Sequence, residues 1–191
     1  MTLPPVIRIF FAIDLPEDIK KTLGSFIGTL KKNTKSNLIR WTKPENLHVT
    51  LQFLAEAHAE HIPLLMEKVR AEIGQAHLQI HFTFDSVSLF PNPYRPRVIV
   101  LNIAAQESLI ALSERIGRGI QAANYTIEDR PFRAHLTLGR IRHAQDARLP
   151  FLSACRPPAL AAVPVNEIVL FRSEPQPEGS KYMVLDKILI I

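Results

Sequence analysis

The pattern His-x-Thr-Leu occurs twice in this chain, in Asn46-Leu47-His48-Val49-Thr50-Leu51 and in Arg133-Ala134-His135-Leu136-Thr137-Leu138. On an extended strand side chains alternate between faces, so His48 and Thr50 share one face while Val49 and Leu51 take the other. The same rule joins His135 to Thr137 and sets Leu136 and Leu138 against them. Each unit offers an imidazole beside a hydroxyl, with aliphatic residues anchoring the opposite face in a core. Two such strands brought together would gather two histidines and two hydroxyl donors around one small anion. A half-buried strand histidine bonded to a carbonyl is the commoner arrangement, but it leaves the repeated polar pair unexplained.

The chain has 191 residues, 47% of them apolar and 21% charged, which excludes global disorder and suits one bilobal domain over residues 1–191. A net charge of +5 favours anionic partners without naming one. Cys155 is the single cysteine, so an internal disulfide and a Cys-based structural zinc site are both excluded. No apolar run reaches the roughly 18 residues that a membrane span needs, and the N-terminus has no signal-peptide pattern. A cytoplasmic protein without membrane contact is expected.

Val6 to Ile13 is apolar and rich in β-formers, and Asp14-Leu15-Pro16 ends it, which predicts a buried strand. A helix should follow to about Lys32, with Leu23, Phe26, Ile27 and Leu30 as its inner stripe. A short strand is expected over Leu38 to Trp41, then the first motif strand, His48 to Leu54. Further helices fit Ala59 to Ile73, stopped by Gly74, and Glu107 to Ala123. Strands fit Leu78 to Val87 and Arg97 to Ile103, with the Pro-rich loop Phe90 to Pro96 between them. The second motif strand starts at His135, and two more strands, Glu167 to Arg172 and Met183 to Ile191, close the chain around Gly179. Helices and strands interleave, so we expect an α+β fold: two pseudo-symmetric halves with antiparallel sheets, each giving one motif strand to a central cleft.

Displacing an alkoxide from phosphorus requires a base for the nucleophile's proton and an acid for the leaving oxygen. Histidine, with a reference pKa near 6.5, can do either near neutral pH. Thr50 and Thr137 can donate hydroxyls to phosphate oxygens, and nearby arginines can spread the charge. Arg140 stands five residues after His135, so strict alternation points it to the wrong face. A bulge or bend near Gly139 would redirect it. The residues alone leave open which histidine is the acid.

These motifs, in this order, resemble those of the RNA 2′,3′-cyclic phosphodiesterases, the ThpR or LigT-like branch of the 2H phosphoesterase superfamily, historically called 2′-5′ RNA ligases. The resemblance covers most of the chain. It is carried by Phe10-Phe11-Ala12-Ile13-Asp14-Leu15-Pro16, by Trp41 with Pro44 to Leu54, by Phe90-Pro91 with Arg95-Pro96-Arg97-Val98, by Pro131 to Arg140, and by Ser173, Gly179 and Tyr182. It implies a bilobal fold, no metal and no other cofactor, and hydrolysis of a ribose 2′,3′-cyclic phosphate to a 2′-phosphate. It further implies His48 as the general acid, His135 as the general base, and Thr50, Thr137 and Arg140 as phosphate-binding residues. RNA ends or small cyclic nucleotides would be the partners of a monomer. The alternatives are a nucleotide- or RNA-binding module without turnover and a 2′-5′ RNA-end ligase. The chain departs from the pattern at Ala55, where glycine is usual, at Ala134, where proline often stands, and at Ile99-Val100, where tryptophan is frequent.

Elsewhere, His58 and His61 lie three apart near a helix start and read as surface residues. His77, His81 and His143 carry no spacing signal. Trp41 suits either a stacked base or a core role, and Phe10 and Phe11 read as core. Arg130, Arg133, Arg140, Arg142 and Arg148 gather around the second motif as a rim for RNA phosphates.

Overall fold

The computed structural model describes residues 4–34, 37–74, 79–104, 106–142, 149, 152 and 155–190. His77, His143 and Arg148, and the expected strand ends at Leu78 and Ile191, lie outside them. The elements in chain order are β1 (Val6–Asp14), α1 (Glu17–Thr34), β2 (Ile39–Trp41), β3 (His48–His58), α2 (Ile62–Ile73), β4 (His81–Phe82) and β5 (Phe84–Phe90). They continue as β6 (Val98–Ile103), α3 (Gln106–Ala122), β7 (His135–Ile141), β8 (Val163–Pro164), β9 (Glu167–Gln176) and β10 (Gly179–Leu189).

The expected α+β architecture is present, with both halves on one antiparallel sheet. Its strands run β10-β9-β1-β3-β7-β6-β5, and β2 pairs with the free stretch of β7. From β9 to β5 that order is a palindrome: β9-β1-β3 mirrors β5-β6-β7, with α1 following β1 and α3 following β6. The halves join where the motif strands meet, and Val49 opposite Leu136 is the pairing between them.

One face of the sheet is packed by helices. Ile9, Phe11, Ile13, Val49, Leu51, Leu101, Leu136 and Leu138 bury there together with Leu23 and Leu30 of α1 and Leu112 and Ile116 of α3. Each such leucine is worth about 1.5–3 kcal/mol of transfer free energy, so the alternation in both motifs is firmly registered. A slip of one residue would turn every apolar side chain outward. The opposite face carries a smaller cluster, Phe10, Ala12, Val169 and Phe171, with Tyr182 against it.

The expected strand over Leu78 to Val87 divides at Thr83. Phe82 pairs with Val163 in a separate two-stranded sheet, whereas Phe84 onward pairs with β6. Pro63 stands at the start of α2, and Ala59–His61 before it form a 3-10 turn instead of the first helical turn.

Candidate active site

The two motif strands are held by their inner neighbours in one matching register. On β1 and β3, Asp14 lies opposite His48, Ile13 opposite Val49 and Ala12 opposite Thr50; a register shift follows, and Phe11 faces Gln52 and Phe10 faces Phe53. On β6 and β7, Asn102 lies opposite His135, Leu101 opposite Leu136 and Val100 opposite Thr137; the same shift follows, and Ile99 faces Gly139 and Val98 faces Arg140. Leu51 and Leu138 are thus the extra residues of two equivalent bulges. Each bulge turns two successive residues, Leu51 and Gln52 or Leu138 and Gly139, toward the helix side and resets the alternation. Arg140 consequently emerges on the face of His135 and Thr137.

Gly139 is required by what lies beneath it. A Cβ there would sit 2.8 Å from Ile39 Cγ2 and 3.1 Å from Trp41 Cε3. Gln52, its counterpart in the first half, has room for a side chain and donates to the Ser113 carbonyl and hydroxyl at 3.1 and 3.0 Å.

Extending the register from Val49 and Leu136 sets His48 across from Thr137 and Thr50 across from His135, all four on the face away from the helices. The structure therefore brings both expected histidines, both threonines and Arg140 to one surface. His48 Nδ1 lies 2.7 Å from the Asn46 carbonyl and His135 Nδ1 lies 2.7 Å from the Arg133 carbonyl. A carbonyl only accepts, so each Nδ1 carries the hydrogen and each Nε2 is left for chemistry. The neutral His48 Nε2 accepts from the Thr50 hydroxyl at 3.0 Å.

The environments of the two rings differ. His48 packs on Phe10, with ring centroids 4.8 Å apart, and against the edge of Tyr182 at 5.2 Å. His135 is stacked by Phe90 at 5.0 Å. Burial pushes the pKa of His48 down to about 4; Arg140 and His135 also lower it, while the Asn46 carbonyl and Asp14 oppose them. Burial likewise lowers that of His135, aided by Arg133 and Arg140 and opposed by the Arg133 carbonyl. The two imidazoles and Arg140 therefore share one electrostatic field.

Two clefts open on this face. One of about 380 Å³ is lined by Arg40, Trp41, Lys43, Asn46, Arg140 and Tyr182. The other, of about 220 Å³, is lined by Thr50, Phe53, Phe90, Phe132, Arg133 and His135. Arg40 was not signalled by the sequence. It pairs directly with Arg140 across β2 and β7, a neighbour relation that only the sheet supplies. Trp41 is half-buried, packed on the core and bordering the larger cleft. Phe10 and Phe11 are both buried as expected, Phe11 in the main core and Phe10 in the smaller cluster beneath His48.

Among the other arginines, Arg133 reaches Asn102 at 3.1 Å and lies over the Phe90 ring, and Arg130 is paired with Glu128. The backbone of Ala134 is clamped by Gln106, which accepts from its N–H at 2.8 Å and donates to its carbonyl at 3.0 Å. That N–H is one a proline could not supply. His58 and His61 are exposed and share the Tyr125 hydroxyl, through the His58 N–H at 3.0 Å and His61 Nδ1 at 3.2 Å. Among the described residues no group of three or more His, Cys, Asp or Glu is placed to hold a metal ion.

Known proteins resemble this chain in sequence and in fold. A family model described as LigT like phosphoesterase matches residues 13–100, which hold His48, and residues 101–182, which hold His135. The RNA 2′,3′-cyclic phosphodiesterase of Thermus thermophilus is 30% identical in an alignment covering 94% of this chain and 88% of that protein. That of Archaeoglobus fulgidus is 26% identical over 92% of this chain and 96% of its own. Among solved structures, E. coli LigT complexed with 3′-AMP matches with a TM-score of 0.75 at 27% identity, covering 97% of this chain and 98% of that one.

Proposed function

The chain belongs to the LigT-like phosphoesterase family, and on that premise we propose that it hydrolyses the 2′,3′-cyclic phosphate of RNA ends or nucleotides to a 2′-phosphate. The observation carrying this reading is the matched pair of His-x-Thr strands, with both Nδ1 atoms bonded to backbone and both Nε2 atoms left on one face. Water attacks phosphorus as His135 Nε2 takes its proton, the P–O3′ bond breaks, and His48 Nε2 delivers a proton to the departing 3′ oxygen. The hydroxyls of Thr50 and Thr137 and the guanidinium of Arg140 hold the non-bridging oxygens, where negative charge grows. Neither a metal nor another cofactor is part of this scheme.

Each half supplies one histidine, so one chain as a monomer, a single bilobal unit, holds the whole set. The lone cysteine suits a reducing cytoplasm. The RNA 2′,3′-cyclic phosphodiesterases among its relatives and the 3′-AMP complex of E. coli LigT support this substrate class.

The test is hydrolysis of 2′,3′-cyclic nucleotides and cyclic-phosphate RNA ends in EDTA, with the position of the product phosphate read by NMR. A 2′-phosphate, formed at a rate with a bell-shaped pH dependence, is expected. Turnover that survives unchanged in both His48→Ala and His135→Ala would overturn the reading.

A further inference from the structure

One pair of equivalent positions separates the two histidines chemically. Asp14 is the cross-strand neighbour of His48, and Asn102 holds the same place beside His135. Neighbours of this kind have Cβ atoms about 4.5–5.5 Å apart on a shared face. The Asp14 carboxylate accepts from Lys20 Nζ at 2.9 Å and from the Leu15 N–H at 3.1 Å. Lys20 is itself buried and is also paired with Glu17 at 3.2 Å. In the second half, the Asn102 side-chain oxygen accepts from Arg133 at 3.1 Å and from the Ser88 hydroxyl at 3.2 Å, while its nitrogen donates to Ser86 at 3.1 Å. One histidine therefore has an anchored carboxylate beside it, and the other has a neutral amide turned toward a guanidinium.

We infer that Asp14 is the positioning residue that sets the direction of proton flow, making His48 the ring that carries a proton into the reaction and His135 the ring that receives one. This rests on the two-histidine reading above and supplies the polarity that the repeated motif leaves undetermined. The charged groups acting on His48 are Asp14 from β1 and Arg140 and His135 from β7, and Tyr182 of β10 presents its ring. Those acting on His135 are Arg133 and Arg140, both cationic, while Phe90 of β5 covers its ring. Burial outweighs Asp14 in the protein alone, and the His48 ring rests neutral at pH 7. A phosphodiester anion drawn onto this face favours an imidazolium on either ring. The two then compete for one proton; burial weighs against His48, and the carboxylate beside it is the one anionic group among the described residues acting on either ring. Lys20 and the Leu15 N–H hold that carboxylate in place, so that Asp14 acts on the ring through its position.

The test uses the full chain with Asp14→Asn and Asn102→Asp. Histidine pKa values are read by NMR in the presence of inorganic phosphate. Turnover is compared on a 2′,3′-cyclic nucleotide and on its analogue with sulfur at the 3′ bridging position, whose thiolate leaves without a proton. Asp14→Asn should lower the His48 pKa and cut turnover of the oxygen substrate roughly tenfold per unit of that shift, with most of the loss absent on the sulfur substrate. Asn102→Asp should raise the pKa of His135 and slow both substrates alike. Equal losses on both substrates in Asp14→Asn, or an unmoved His48 pKa, would overturn the inference.

Should Asp14→Asn fail to fold, Asp14→Asn/Lys20→Met removes both charges together and is read by the same ratio. If the wild-type chain turns over neither substrate, the hydrolytic reading falls, and the NMR shift of His48 shows separately whether Asp14 acts on the ring.

Discussion

Beyond the two bulges, β3 presents Phe53 where β7 presents Arg140, and β3 bonds the half-buried Gln52 to α3 where β7 has the bare Gly139 under Trp41. Up to the bulges the halves repeat one another residue for residue: histidine, aliphatic, threonine, leucine. The clefts follow the same division. The larger one, beside Arg140, is rimmed by Arg40 and Lys43, whereas the smaller one, beside His135, is walled by Phe53, Phe90 and Phe132. What must act as a pair is duplicated, and what handles the two ends of an asymmetric molecule has diverged. On the proposed reading, a phosphate needs two proton carriers but only one guanidinium, and a nucleotide has one charged side and one flat apolar side.

The largest effects should come from the shared part. His48→Ala and His135→Ala should each lower kcat by roughly 10² to 10⁴, and the double variant should be little worse than the poorer single one, since the pair acts as a unit. Steady-state kinetics on a cyclic nucleotide decide this, and fully multiplicative losses would show two independent contributions.

Arg140→Ala comes next, with a fall of roughly 10² from the loss of a charge-assisted contact to the phosphate. Phe53→Ala, its counterpart, should leave kcat within a few-fold. Comparable losses at the two positions would erase the distinction between the halves.

Gly139→Ala should cost about 1–3 kcal/mol of stability through overpacking against Ile39 and Trp41, read as a lower urea midpoint, and should weaken phosphate binding by displacing Arg140. Gln52→Ala should leave Arg140 in place and phosphate binding unchanged.

A separate effect is on acid stability. Both histidines have pKa values below the ordinary 6.5, so the unfolded chain binds more protons once the pH drops under that value. Their contribution is complete above pH 6.5 and is lost as the pH falls, toward about 4 for His48. Urea midpoints between pH 7 and 4.5 should decline, and His48→Gln should flatten that decline more than His135→Gln does.

Much of this was legible from local pattern. Leu109, Leu112, Ile116 and Ile120 at helical spacing bury as expected in α3, and period-two alternation placed both motif strands. The motif histidines were visible because a polar pair recurring on an otherwise apolar strand has few structural uses. Arg140 was half-visible: Gly139 suggested a bend, but the bulge at Leu138 exists only against β6. Arg40, the Asp14 and Asn102 contrast and the small cluster beneath His48 depend on which strands become neighbours. No periodicity within a strand records that. The break at Thr83 was hidden for the same reason, since β4 and β5 separate by choosing different partners.

Each imidazole takes its orientation from a backbone carbonyl two residues upstream, just before its strand begins. The tautomer is therefore written into three residues, Asn46 to His48 and Arg133 to His135, by a backbone acceptor. A copied segment that begins two residues before its histidine would bring that proton geometry along, leaving selection free to rework what lies outside it.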